Sequence, residues 1–510
     1  MAGQTETETA AFRNGARPAD TGNAAFRDRA RQTGAGKPKA PRRIASGNGA
    51  SARDAALDVL ILCRRQSAWA DAALNSVLRR VALSAPDAAL CSRLVYGVMQ
   101  SRMLLDFYLD AFCARKTEAA PYPIAEILRL GAYQILFLDR VPDSAAVNEA
   151  VNQAVRVGRK SASGMVNAVL RRLSREKNEL PKIPDADPVQ ALSIRYSHPR
   201  WLVEKIAALL GADETERFLL ENNRVPPLTI QINPRRTSSD ALIEELGRDG
   251  VTAVRRACFP DCLELSGSGA VTRLTAFREG KFYAQDPAAR LVTDAAGIRD
   301  GQSVLDVCAA PGGKSFSAAF LVGDAGSVVA CDISADRLKR VSEGAARLGL
   351  SDVIRAAQAD ARVFRPEWES CFDVVLVDAP CSGLGVIRKK PDIRYRDPKS
   401  LDALPDLQFA ILSNAARYVR PGGTLFYSTC TVLSEENDGV TNRFLSERAD
   451  FHGAPFAESD ALTRLQSDAD WMTQSGADLA SIRAGAGLTL WPQRAGTDGF
   501  YLRRMTRDAP

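Results

Sequence analysis

Histidine is almost missing from this chain, with two residues, His198 and His452, among 510. Imidazole is the side chain that changes charge near neutral pH, and it is the commonest metal ligand. Histidine-based catalysis and histidine-rich metal sites are therefore nearly excluded. His198 stands before Pro199 at a helix start and reads as a turn residue. Cysteine is present but forms no framework. The ten are Cys63, Cys91, Cys113, Cys258, Cys262, Cys308, Cys331, Cys371, Cys381 and Cys430. Cys258 and Cys262 lie close together, yet no second cysteine or histidine pair joins them, so no metal is expected. Thiols scattered through a long chain read as reduced.

No run of about 18 apolar residues occurs, and no membrane-spanning helix is expected. The first residues, Met-Ala-Gly-Gln-Thr-Glu, lack the apolar segment of a secretory signal. A cytoplasmic location is the expectation. Two phosphate motifs also fail. Gly313-Lys314-Ser315 has the tail of a P-loop, but Cys308 stands where that loop needs its first glycine. The dinucleotide fingerprint is missing because Ala310 and Pro311 occupy the turn.

What is there is ordinary globular composition: 45% hydrophobic, with 67 basic less 61 acidic residues for a net +6. The length suggests three domains plus a tail. Residues 1–50 have too few large apolar side chains to offset ordering entropy, and disorder is expected. Their basic clusters, Arg27 to Arg31 and Lys37 to Arg43, either touch nucleic-acid phosphates or are merely solvated. Residues 51–180 read as helical. Ile124, Leu128, Gly131, Ile135 and Leu138 fall on one helix face. Pro142 breaks the chain, and Asp143 or Ser144 can cap the next helix. Arg171 and Arg172 flank the stripe of Met165, Val169 and Leu173 and read as a solvated face that also suits nucleic acid.

A Pro-rich linker is expected over 178–190. Residues 188–280 read as a small α/β unit, with strands at 226–233 and 262–265 and a helix at Ser239 to Leu246. Arg235, Arg236, Arg255 and Arg256 make it basic. Over 281–507 strands alternate with helices, the sign of a parallel sheet. Strands are expected at Ser303 to Val307, Ser327 to Cys331, Val353 to Ala357, Phe372 to Val377 and Thr424 to Tyr427. The clearest helices are Asp336 to Leu348 and Leu404 to Val419, the latter stopped by Pro421-Gly422-Gly423. Leu488 to Pro492 and Asp498 to Tyr501 read as closing strands near the site.

The stretch Asp306-Val-Cys-Ala-Ala-Pro-Gly-Gly-Lys314 joins a buried strand to a helix N-terminus. Backbone N–H groups there suit an anionic ligand. Asp332, 20 positions beyond Gly312, ends the next strand and can accept hydrogen bonds from ribose hydroxyls. A ligand with a ribose and a carboxylate but no pyrophosphate fits, and S-adenosylmethionine is one. Asp360 follows the third strand, where it can meet an adenine amino group. Asp378-Ala-Pro-Cys381 and Ser428-Thr-Cys430 each follow a strand, so two thiols and a carboxylate converge on the turn. Cys308, Cys331 and Cys371, beside apolar runs, read as buried packing thiols.

These motifs together resemble the RNA (cytosine-5) methyltransferases. Lys389-Lys-Pro-Asp-Ile-Arg394 and Gln285-Asp-Pro-Ala288 match the same pattern. Ala146-Val-Asn-Glu-Ala150 and Val166-Asn-Ala-Val-Leu-Arg171 are similar to the NusB-like domain of the RsmB/Sun branch, which modifies small-subunit ribosomal RNA. The resemblance covers roughly residues 52–505. Gly383-Leu384-Gly385 departs from it, since the family carries Ala-Thr-Gly there.

The resemblance implies an all-α NusB-like domain, a small α/β RNA-binding subdomain and a C-terminal Rossmann-like methyltransferase domain. It implies Cys430 as nucleophile, Cys381 as the group that assists release, Asp378 on the cytosine edge and Lys314 orienting the catalytic loop. Cys308, Ala309, Ala310, Pro311, Gly312, Gly313, Lys314, Asp332, Arg337, Asp360 and Asp378 are the implied S-adenosylmethionine site. The implied partner is 16S rRNA or an assembling small subunit, met by a monomeric chain. A transfer-RNA or 23S rRNA enzyme is the alternative within the class. A non-catalytic RNA-binding factor is the alternative outside it, and the paired thiols argue against that.

Overall fold

The computed structural model describes residues 51–509 apart from 67–68, 257–258, 459–462 and 464–478. The basic tail and Cys258 lie outside the described residues. The chain from 51 onward begins with six helices: α1 (Ala52–Gln66), α2 (Ala70–Arg80), α3 (Ala85–Phe112), α4 (Tyr122–Phe137), α5 (Asp143–Arg156) and α6 (Ser163–Glu176). They share one apolar core.

Helix α4 is buried on nearly every side, from Pro123 to Ile135, rather than on the single face its apolar spacing suggests. The reason is its central place, packed against α1, α3, α5 and α6. Its two charged residues are carried inside as a set. Arg129 reaches Asp106 on α3 at 2.7 Å and Glu126 at 2.6 Å, as a buried charge must. Leu138 lies one residue past the helix end. Pro142 itself takes the cap position of α5, and no side chain caps it. Asp143 instead accepts from Ser174 on α6 and from Lys177 just past its end, both at 2.8 Å. Arg171 and Arg172 are exposed.

The expected linker ends early, because α7 (Pro188–Tyr196) begins inside it, with Asp187 accepting from Gln190 N at 3.0 Å. Ser197 turns the chain at φ 54° into α8 (Arg200–Leu210) and α9 (Ala212–Glu221). His198 in that corner is fully buried, and burial followed by the Arg394 charge holds its ring well below the usual histidine range. It is a neutral turn residue.

Next come β1 (Leu228–Ile232), α10 (Ser239–Arg248), β2 (Thr252–Arg256), β3 (Phe259–Ser266), a short α11 (Thr275–Arg278) and β4 (Phe282–Ala284). They form an antiparallel sheet ordered β2-β3-β1-β4 with a core of Ile230, Leu242, Leu263 and Phe282.

The last part alternates: α12 (Pro287–Ala296), β5 (Ser303–Asp306), α13 (Gly313–Val322), β6 (Ser327–Asp332), α14 (Ala335–Leu348), β7 (Ile354–Gln358), β8 (Phe372–Asp378), α15 (Leu404–Ala415), β9 (Val419–Thr429), α16 (Asp438–Glu447), β10 (Phe451–Gly453), β11 (Leu488–Leu490) and β12 (Phe500–Arg507). The sheet runs β10-β12-β9-β8-β5-β6-β7, with β11 also on β12. Strands β5 to β9 are parallel, and β12 returns antiparallel to β9.

Successive strand residues point to opposite faces. Val304, Val374 and Leu376 therefore meet α12, α13 and α14, while Leu305, Val375 and Val377 meet α15 and α16. A sheet covered on both sides reads as continuous apolar runs for this reason. Pro421-Gly422-Gly423 lies within β9 instead of before it. Gly422 takes φ 75°, and the β8–β9 register shifts between Phe372 and Val374. The three residues make an irregularity that the strand absorbs. Order changes direction at β5, which has β6 on one side and β8 on the other. Ligands of such sheets bind outside the strand ends at that switch point. No described helix is long and apolar enough to cross a membrane.

Candidate active site

Strand β5 ends on Asp306, and the chain turns into α13 at Gly312, whose φ is 115°. A Cβ at Gly312 would lie 2.5 Å from the Phe316 ring, so conformation and space both demand glycine. Phe316 N then donates to the Gly312 carbonyl at 2.8 Å and opens the helix. Cys308, Ala309, Ala310, Pro311, Gly313 and Lys314 line a cavity of about 500 Å³ with Asp306. Gly312 is not among its lining residues and only shapes the corner.

A second cavity of about 420 Å³ is lined by Asp332, Arg337, Asp360, Cys381 and Cys430. Cys308, Ala310 and Asp378 line both, so the two spaces meet at the turn. Asp332 ends β6, buried; its Oδ1 accepts from Ser334 N at 2.9 Å, and its Oδ2 lies 3.2 Å from Arg337. Arg337 also donates to the Ala310 carbonyl at 3.0 Å, tying the β6 carboxylate to the turn. Asp360 follows β7 and is gripped by Arg362, which holds its carboxyl below the usual range.

Asp306 is the residue that fits a cationic group. Its Oδ2 accepts from Ser315 Oγ at 2.8 Å. Its Oδ1 is buried and has no side-chain or backbone hydrogen-bond partner among the described residues, an expensive state for a carboxylate. Burial pushes its carboxyl up to about 6, against the pull of Ser315 and Lys314. Its strand-end position was legible in the sequence, but its unsatisfied oxygen was not.

Asp378 ends β8 directly opposite Ser428 on β9. That register brings the two cysteine motifs together, because Cys381 and Cys430 follow paired residues. Ala379 N donates to the Ser428 carbonyl at 2.9 Å, and Gly385 N to the Cys430 carbonyl at 2.9 Å. The two Sγ atoms stand 3.4 Å apart. The bond to Cys430, then burial, raises the Cys381 thiol well above the ordinary range. Asp378 accepts from Lys314 Nζ at 2.7 Å and from Ser428 Oγ at 3.0 Å. Burial opposes the Lys314 charge, but Asp378 and Asp306 outweigh it and raise its pKa. The Phe500 ring lies 5.0 Å from the ammonium.

Three supports had no role assigned from the sequence, although Asp286 stands in a stretch that carries the resemblance. Buried Glu436 accepts from Ser382 N at 2.9 Å and Gln408 at 2.8 Å, fixing the backbone beside Cys381. Asp286 and Asp498 hold Lys389 between them, each at 2.7 Å. No local pattern signals these, since each joins residues far apart in sequence. Cys331 is buried, whereas Cys371 is exposed and Cys308 half-buried. Cys371 precedes β8 in a connecting turn, outside the apolar strand that made it look interior.

Comparison with known proteins gives the same architecture. The family model for 16S rRNA methyltransferase RsmB/F matches residues 296–506, the NusB family model matches 50–175, and the RsmF/B-like ferredoxin-like domain model matches 198–272. A probable ribosomal RNA small subunit methyltransferase B of Bacillus subtilis is 35% identical over 461 residues, spanning 90% of this chain and 99% of that protein. Ribosomal RNA small subunit methyltransferase B of Erwinia tasmaniensis is 33% identical over 425 residues, spanning 82% and 91%. The crystal structure of PH0851 superposes with a TM-score of 0.73 at 26% identity, covering 88% of this chain and 98% of that one. NSun6 from Pyrococcus horikoshii, 20% identical with a TM-score of 0.51, covers 61% and 99% and shares the fold.

A doubly covered sheet with a strand–turn–helix cradle and acidic residues at successive strand ends defines an S-adenosylmethionine-dependent methyltransferase. The NusB-like and ferredoxin-like domains before it narrow the class. This chain belongs to the ribosomal RNA small subunit methyltransferase B family.

Proposed function

We propose that the protein methylates carbon 5 of a cytosine in 16S rRNA through a covalent adduct with Cys430. The observation that supports this reading most is the 3.4 Å separation of the Cys381 and Cys430 sulfurs beside the Lys314–Asp378 pair. Carbon 5 of cytosine is a poor nucleophile. A Cys430 thiolate adds to carbon 6, the 5,6 double bond opens, and carbon 5 becomes enamine-like and nucleophilic. Asp378 hydrogen-bonds the cytosine edge that gains a proton. When bound, S-adenosylmethionine supplies an electrophilic methyl on sulfur. Loss of the carbon-5 proton to a base then drives elimination: the carbon 6–sulfur bond breaks and restores the double bond. Cys381, whose raised pKa keeps it a thiol, is placed to return a proton to the departing Cys430 sulfur.

Asp332, Asp360 and Arg337 hold the donor's nucleoside side, and the turn from Cys308 to Lys314 holds its amino-acid end. Asp306 Oδ1 is the acceptor for the ammonium there. Protonating Asp306 removes the charge that attracts this ammonium, and the group titrates at about 6. Below about pH 6 donor affinity is expected to fall as pH drops, approaching about tenfold per unit. Calorimetry across that range checks it, and a flat profile to pH 5 contradicts the assignment.

The helical domain at 51–180 and the small domain at 188–280 present the RNA, and the domain at 281–507 performs the transfer. The protein acts in the cytoplasm as a monomer. Incubation with unmodified 16S rRNA and S-adenosylmethionine, followed by bisulfite sequencing, tests the reading. Protection of one cytosine is expected. Methyl incorporation without any protected cytosine excludes carbon 5 as the target.

A further inference from the structure

Between the helical module and the catalytic loop lies a cleft of about 920 Å³. One wall is α3 and the end of α4; the other holds Arg195, Ser197, Asn223 and the pair Arg388–Lys389. Among the described residues, no acidic one lines it. Arg93 is exposed on its rim and forms no ion pair with a described residue. The Tyr133 and Phe137 rings stand 5.3 Å apart inside, and Phe137 is 38% exposed. Gly97 makes room for them: a Cβ there would lie 2.0 Å from the Tyr133 ring.

The floor is fixed from below by Arg394, which is fully buried. Its guanidinium donates to Gln100 O at 3.3 Å, Ser197 O at 3.2 Å, Asn223 Oδ1 at 2.8 Å and Asn222 O at 3.2 Å. Gln100, Ser197 and Asn223 line the cleft. None of these partners is a carboxylate, so the positive charge beneath the cleft is uncompensated. Burial lowers its pKa to about 10, which leaves it charged at neutral pH. Arg388 and Lys389 are spent on Glu221, Asp286 and Asp498. Arg195 is shared between exposed Asp185 at 3.7 Å and Glu216 at 3.4 Å, so the attraction for an anion comes from Arg93 and Arg394. Lys389 lines both this cleft and the 500 Å³ cavity that holds Lys314 and Asp378. The two spaces adjoin at that residue.

We propose that this cleft binds a single-stranded segment of the RNA that carries the target base, which rests on RNA being the substrate. A strand with splayed bases stacks on aromatic rings and sets its phosphates against free positive charge, here Arg93 on the rim. A duplex is read by shape across its minor groove and would not reach rings inside a cleft. The segment extends from the target nucleotide, because the cleft adjoins, at Lys389, the cavity of Lys314 and Asp378.

The test uses the full chain and an unmodified 16S rRNA transcript. A photo-crosslinking p-benzoylphenylalanine at position 137 is expected to capture the transcript, and an unstructured oligonucleotide is expected to compete where a duplex does not. Arg93→Ala, at an exposed site that leaves folding intact, is expected to weaken RNA binding by about 3- to 10-fold and to lower the salt slope by about 0.7. Donor affinity stays unchanged. An unaltered slope, or capture of a protein instead of RNA in assembling subunits, overturns the proposal. If the wild type methylates the transcript while both probes of the cleft are silent, the cleft alone is misassigned. If the wild type neither binds nor methylates RNA, the substrate reading fails with it.

Discussion

Cys430→Ala is expected to abolish methylation, by at least ~10⁴-fold, while leaving the fold and donor binding in place. The side chain is small and half-buried at a strand end, so its loss removes few packing contacts. What is lost is the thiol proposed to attack carbon 6, its sulfur 3.4 Å from that of Cys381. Cys381 is expected not to substitute: its bond to Cys430 goes with the substitution, but the burial that also raises its thiol remains. Single-turnover kinetics with labelled donor measure the effect. Residual activity within about tenfold of wild type would move the nucleophile elsewhere.

Asp378→Asn is expected to cost about 10²- to 10⁴-fold in kcat. The amide keeps the shape and can still accept from Ser428. It no longer neutralises Lys314, which is nearly buried and 2.7 Å away. Removing one partner of a buried pair leaves a charge that costs roughly 3–5 kcal/mol. Part of that is relieved here, because Asp378 itself is 29% exposed. Lys314 is expected to lose its elevated pKa and shift away from the strand end. The loss falls on kcat more than on donor affinity, since Asp306, Asp332 and Asp360 remain. A rise in donor Kd alone, with kcat unchanged, would make Asp378 a binding residue only.

The parallel sheet was legible because strands covered on both faces are continuous apolar runs, and both thiol motifs follow such runs. Their convergence could be inferred from strand ends alone. The 3.4 Å separation could not, because it depends on the register that pairs Asp378 with Ser428. The turn was legible through its glycines, yet the unsatisfied Asp306 oxygen depends on Ser315 engaging only one side. Helix α4 showed one apolar stripe and is buried nearly all round, because Arg129, Glu126 and Gln134 enter the core as hydrogen-bonded groups. Polar residues that are satisfied inside look like surface in a periodicity reading. Arg394 is the extreme case. Its partners are carbonyl groups on α3 and the turns after α7 and α9, which no sequence pattern brings together.

The central claim is that one thiol forms the bond and the other is needed to break it. The direct measurement is denaturing electrophoresis of Cys381→Ala after incubation with unmodified 16S rRNA and S-adenosylmethionine, with peptide mapping of any shifted band. A covalent protein–RNA species linked through Cys430, accumulating in Cys381→Ala and absent from the Cys381→Ala/Cys430→Ala double variant, is predicted. Full turnover by Cys381→Ala without such a species, or a linkage mapped to another residue, would contradict it.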